Sequence, residues 1–167
     1  MHHLRITADG GHTGSNRQTS AVRRWVAPVS GIVNISGRLK HAEKKGDGVR
    51  AQLVHSRFAV QASWNAFGNE VETNANRIEV QAGDTLDFVV DCIETASFDS
   101  FLWSPAVELI ELATPDQSND RWLPGFTWNA AADFSASSEK LAPSDSLDPW
   151  VQLAQVLLLC NEFAFVD

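Results

Sequence analysis

A two-residue rhythm constrains this chain more than any other feature. In GIVNISGRLK, Val33, Ile35 and Leu39 fall on one face, and Asn34, Ser36, Arg38 and Lys40 on the other. GVRAQLVHS groups Val49, Ala51 and Leu53, and RFAVQASW groups Phe58, Val60, Ala62 and Trp64. RIEVQAGDTLDFVVD reads as a hairpin, with Ile78 and Val80 before a turn at Ala82-Gly83-Asp84 and Leu86, Phe88 and Val90 after it. SFLWSPAVELIEL reads as a further long strand bent at Pro105. Side chains of a strand alternate between faces, so each run buries one face and leaves the other in water. Turn signals recur in PVSG, KKGDG, AFGN and QAGD, and no helical pattern intervenes. The expectation is an all-β fold over residues 1–112: an antiparallel β-sandwich of seven or eight strands, jelly-roll-like.

The rhythm stops after Leu112. Residues 113–145 are rich in Pro, Ser, Asp and Asn and read as an irregular arm. Trp122, Phe126, Trp128 and Phe134 need burial, so the arm is expected to wrap over the sandwich. Residues 146–167 read as a C-terminal α-helix and tail. Ser146 or Asp148 can cap it, Pro149 suits its first turn, and Trp150, Leu153, Val156, Leu157 and Cys160 recur at helical spacing.

The net charge of -8 argues against nucleic acid and anionic membranes, which need a cationic footprint. The longest apolar run, VLLLC, is too short to span a bilayer. No CxxCH, CxxC or HExxH occurs, and no signal peptide is visible at the start. Cys92 and Cys160 read as two buried thiols, with pairing left open.

Six Trp and no Tyr set the ligand question. A Trp ring can stack on a sugar or fill a core. Trp64 and Trp103 share the apolar parity of their strands and belong inside. Trp25 falls opposite Val22 and Val26, beside Arg23, and is the candidate for an exposed ligand-binding ring. Trp122 and Trp128 either line a groove with it or pin the arm down. His12, in the Gly-rich GGHTGSN, is a further candidate ligand residue. Asp87 and Asp91 project from one face of a strand, with Asp99 just beyond. Their oxygens can hold a structural Ca²⁺ or form a solvated polar face; no D-x-D-x-D-G loop is present. No G-x-S-x-G elbow occurs, and no paired carboxylates stand out from surface acids, so no catalysis is expected.

The runs AVRRWVAPVSGIVNISGRLKHAEKKGDGVRAQLVHSR, GDTLDFVVDCIETASFDSFLWSP and PWVQLAQVLLLCNEFAFVD together resemble one family. It is the C-terminal part of the large planctomycete-type multidomain proteins with cytochrome-c-like N-terminal modules and domains of unknown function. The resemblance implies that the terminal helix closes a larger helical domain of such a parent, and that this chain is a C-terminal fragment or shortened relative. It also implies an exported or envelope-associated setting; the haem motif itself is missing here. The leading expectation is a non-catalytic accessory module that binds a polysaccharide or other glycan. The alternative is a structural or protein-interaction module that packs on a parent domain, or on a second copy, through the terminal helix.

Overall fold

The computed structural model describes residues 4–15, 19–113 and 124–137. Its strands are β1 (Arg5–Ile6), β2 (Gly10–His12), β3 (Ala21–Val26), β4 (Gly31–Ser36), β5 (Arg38–His41), β6 (Val49–His55) and β7 (Ala59–Ala66). They continue as β8 (Asn69–Glu72), β9 (Ala75–Val80), β10 (Thr85–Cys92), β11 (Ser100–Trp103), β12 (Ala106–Leu112), β13 (Thr127–Asn129) and β14 (Ser135–Ser137). Three sheets run β1-β2-β11-β5-β8, β14-β3-β10-β6-β7 and β13-β12-β4-β9, with every pairing antiparallel.

The first and third sheets are two halves of one layer. Three long strands cross both, each broken once: β4 to β5 at Gly37, β8 to β9 at Thr73–Asn74, and β11 to β12 at Ser104–Pro105. Gly37 is needed at the break. A Cβ there would meet Thr73 Oγ1 at 3.0 Å and the Pro105 Cα at 3.2 Å. The breaks are also pinned chemically, because Trp103 Nε1 donates to Thr73 Oγ1 (2.9 Å) and the Thr73 amide to the Gly37 carbonyl (2.9 Å).

The second sheet forms the facing layer, and the chain alternates between layers as a jelly-roll-like sandwich does. One core fills the gap. It includes Val33, Ile35, Leu39, Val49, Ala51, Leu53, Leu86, Phe88, Val90, Val107 and Leu109, as the alternation requires. Aromatic rings bridge the layers edge to face: Trp103 with Phe88 (5.6 Å) and with Trp64 (6.2 Å).

Three sequence expectations need correction. The fold is all-β, but no helix occurs among the described residues. The expected C-terminal helix, with Trp150 and Cys160, falls on residues 146–167 and lies outside them, as does Trp122. The QAGD segment is not a hairpin. β9 pairs with β4 and β10 with β3 and β6, so the turn at Gly83 carries the chain from one layer to the other. Alternation marks strands but cannot say which neighbour each one takes. The third correction concerns Trp25. It is 2% exposed and packs at a tilt against Trp128 (ring centroids 5.2 Å apart). On β3 the inward face is Ala21, Arg23 and Trp25, while Arg24 is half-buried and Val26 exposed.

Arg23 explains the reversal. Its buried guanidinium donates to the carbonyls of Trp103, Thr7 and Gly10 (the last at 3.0 Å). Those groups belong to β11, the β1–β2 turn and the start of β2, so one side chain joins the two layers. Burial pushes the guanidinium below its ordinary range, and the charge of Asp9 offsets part of that. Arg23→Met leaves three carbonyls without this donor. It should lower stability by roughly 3–5 kcal/mol in urea unfolding, from the lost charged hydrogen bonds.

Candidate protein-contact surface

The acids picked from the sequence are all buried, each with its own partner. Asp87 faces Arg24 across β10 and β3 and takes both guanidinium bonds (2.7 and 2.8 Å). Asp91 faces Arg50 across β10 and β6 in the same manner (Nε to Oδ1, 3.0 Å). Asp99 sits in the loop before β11, where its Oδ2 accepts from Thr13 Oγ1 (3.1 Å). Cross-strand arginines thus use the lone pairs that a cation would need. No group of three or more His, Cys, Asp or Glu placed to hold a metal occurs among the described residues.

Of the proposed ligand-binding rings, the two that lie among the described residues do not line a groove. Trp25 and Trp128 pack on each other in the core, and Phe126 leans on Trp128 (4.9 Å). His12 lies in β2, in a different sheet from both, with Nδ1 2.8 Å from the Thr13 carbonyl. The Trp128 segment does pin down: β13 extends one sheet beside β12, and β14 extends another beside β3. Cys92 is a buried free thiol, and burial pushes it above the ordinary thiol range.

A Ser, a His and an Asp do meet at one end of the sandwich, in Ser56, His55 and Asp84. Both ring nitrogens of His55 are engaged by backbone. Nδ1 accepts from the Arg57 amide (2.9 Å), and Nε2 lies 3.1 Å from the Glu79 carbonyl. Asp84 is taken by Arg57 (Nε 2.9 and 3.0 Å) and by the Gln81 amide (2.6 Å). The trio fastens the β6–β7 turn to the β9–β10 turn; no base is left free beside a nucleophile.

The opposite end differs. Three loops meet there: residues 42–48, Phe67–Gly68, and residues 93–99. Asp47 fastens the first to the third. Its carboxylate accepts from the amides of Glu94 and Thr95 and from Thr95 Oγ1 (the latter two at 3.1 Å). Burial pushes this carboxyl up, and the hydrogen bonds outweigh it, so it stays below the usual carboxylate range. Fully buried His41 fastens the other pair. Its Nδ1 accepts from the Gly68 amide (3.2 Å), so Nε2 carries the proton and donates to the Phe98 carbonyl (2.9 Å). Gly46, at φ +83°, lets the first loop pass directly under the Ser97 carbonyl.

Two phenyl rings stand out of this clamped framework. Phe67 is 50% exposed and stacks on the His41 ring at 6.3 Å, and Phe98 is 49% exposed with Lys45 Nζ 5.7 Å from its centroid. Phe98 holds φ 70°, a left-handed backbone that a bulky residue rarely adopts. Strain of this kind persists only where the surroundings impose it, and here it turns a large apolar ring toward water. Periodicity gave no hint of the pair, because both rings lie in loops. The turn-like FG and FDS contexts were the only signals.

A second feature lies on the outer face at the strand breaks. It is a trough of about 550 Å³ lined by Arg38, Lys40, Glu70, Glu72, Asn74 and Leu102, among others. Arg38 already pairs with Glu70 (3.2 Å) and lies 3.7 Å from Glu72.

Neither the protein-family models nor the curated proteins contain a match to this chain. A similar solved structure is the crystal structure of pika GITRL, at 19% identity and a TM-score of 0.37. The alignment covers 55% of this chain and 79% of that one. So slight a likeness carries no argument, and the functional reading rests on the geometry.

Two substitutions probe the clamp. Asp47→Ala should lower stability by about 1–2 kcal/mol near neutral pH. The contribution of Asp47 is present above the ordinary carboxylate range and is lost as pH falls through its lowered value. Amide exchange at Glu94 and Thr95 should quicken in the variant. Asp99 behaves oppositely. Burial pushes its carboxyl up, the Asp47 charge adds to this, and Oδ1 has no hydrogen-bond partner among the described residues. Its ionised form therefore weakens the fold at high pH. Asp99→Asn should be more stable than the parent near neutral pH, and the difference should shrink as pH falls through the raised value toward the ordinary one. Urea midpoints across that range measure both.

Proposed function

We propose that this chain is a non-catalytic β-sandwich module that works by protein–protein contact, with the Phe67–Phe98 end as its contact surface. The observation that carries the reading is Phe98. Its strained backbone is held by His41 and by the clamped loops, and its ring gains little packing in return. Exposed aromatic anchors on a rigid frame suit a protein interface, because they bury large area with little loss of freedom.

The glycan reading drew on Trp25, Trp122 and Trp128 as exposed rings; Trp25 and Trp128 lie in the core instead, and Trp122 lies outside the described residues. The non-catalytic part rests on the engaged nitrogens of His41 and His55. The resemblance to the planctomycete-type proteins adds an exported or envelope-associated setting to the proposal.

Peptide display against the intact chain tests it. Selected peptides should bind the double variant Phe67→Ser/Phe98→Ser at least tenfold more weakly, about 1.4 kcal/mol, with unchanged circular dichroism. Peptides that bind both forms equally would refute the assigned surface. A saturable tryptophan-fluorescence shift with a soluble glycan, and no selected peptide, would return the weight to carbohydrate.

A further inference from the structure

Six strands form the edges of the described sheets: β1 and β8, β14 and β7, β13 and β9. An open edge is a template for another strand, and natural sheets blunt theirs. Five of these six are blunted. β1, β13 and β14 have only two or three residues each. β8 carries Glu70 and Glu72, and β9 carries Glu79 together with Arg77 at φ 58°.

β7 is the exception. It has eight residues, AVQASWNA, with no charge and no proline. Only its first part is protected. Gln61 is bulged out of register with β6, and its Nε2 donates to the carbonyls of Phe58 (2.9 Å) and Ala59 (3.4 Å). From Ala62 to Ala66 the strand is regular, and its outer side pairs with no described strand.

We propose that β7 pairs antiparallel with β7 of a second copy of this chain, about a two-fold axis at Ser63. A two-fold axis normal to a sheet sets each residue opposite the one equally far beyond the centre. Ala62 then faces Trp64 of the partner subunit. Both are half-buried against the core, so the pair continues the apolar layer across the axis. Ser63 and Asn65 lie on the exposed, uncharged side. No like charges meet at the seam, although each chain carries -8 overall, and charges further away are screened within about 8 Å at physiological salt. A second copy is favoured over a free peptide because its edge is already ordered, whereas a peptide loses chain entropy on pairing.

Sedimentation equilibrium of the intact chain reads the outcome. The parent should show a concentration-dependent dimer. Ser63→Lys sets two ammonium groups opposite each other on the exposed side, and should give a monomer with unchanged circular dichroism. Cross-linking supplies an independent reading. At the axis the two Ser63 Cα atoms would lie about 4.5–5.5 Å apart, within disulfide reach. Ser63→Cys should therefore form a covalent dimer on mild oxidation, and Asn65→Cys should not. A parent that is monomeric throughout, or cross-linking equal at both positions, overturns the pairing. So does a dimer that survives Ser63→Lys, and its loss in Phe67→Ser/Phe98→Ser would move the interface to the loops. A monomeric parent leaves the peptide-display test of the Phe67–Phe98 surface unaffected.

Discussion

The buried Arg23 guanidinium is the interaction on which much of the arrangement depends. The β1–β2 segment and β11 present the carbonyls of Thr7, Gly10 and Trp103 to the interior, and Arg23 reaches them from the facing layer. A charge so placed is stable only while fully hydrogen-bonded. It therefore fixes which face of β3 points inward, and Trp25 follows two residues later. With Trp25 inside, Trp128 has a ring to pack against, and β13 gains a reason to lie where it does. The outward arginine, Arg24, is then free to meet Asp87.

The two ends of the sandwich are built from the same parts and used differently. At each, a fully buried histidine takes a backbone amide on Nδ1 and lies against a carbonyl through Nε2. At each, an aspartate is held below its ordinary range by amides and other donors that outweigh its burial. At the His55 end, Arg57 lies 4.7 Å over Phe58 and ties the turns together. Phe58 is exposed there too, but the positive φ falls on its small neighbour Ala59, whereas at the His41 end the clamp holds the exposed Phe98 itself in a left-handed conformation that costs energy. That asymmetry separates a structural corner from a candidate surface.

Legibility in the sequence followed periodicity closely. Val33, Ile35, Leu39, Val49, Ala51 and Leu53 are buried as their alternation required, and Pro105 does mark a break. Trp103 kept the parity of its strand. Around β7 the rhythm misled: Val60 is exposed because the bulge at Gln61 breaks the register, and Phe58 because it lies in the turn before the strand. Asp87 and Asp91 were correctly placed on one face. Their partners were not foreseeable, since Arg24 and Arg50 come opposite them only through pairings to strands 41 or more residues away. The Phe67–Phe98 surface was illegible for a related reason, as its position depends on three loops meeting.

By itself the sequence determined that the segment up to Leu112 is an antiparallel β-sandwich, which side of most of its strands is apolar, and where the turns fall. These are local properties, set by the alternation of side chains along a strand and by the φ angles that Gly and Pro favour. Only the tertiary structure decided that QAGD crosses between layers, that Arg23 and Trp25 face inward, and that Asp87 and Asp91 each meet an arginine while Asp99 meets Thr13. Only it decided that β7 is a long, uncharged edge among the described strands. Each of these depends on which distant segment lies alongside, and a one-dimensional pattern carries no record of its neighbours.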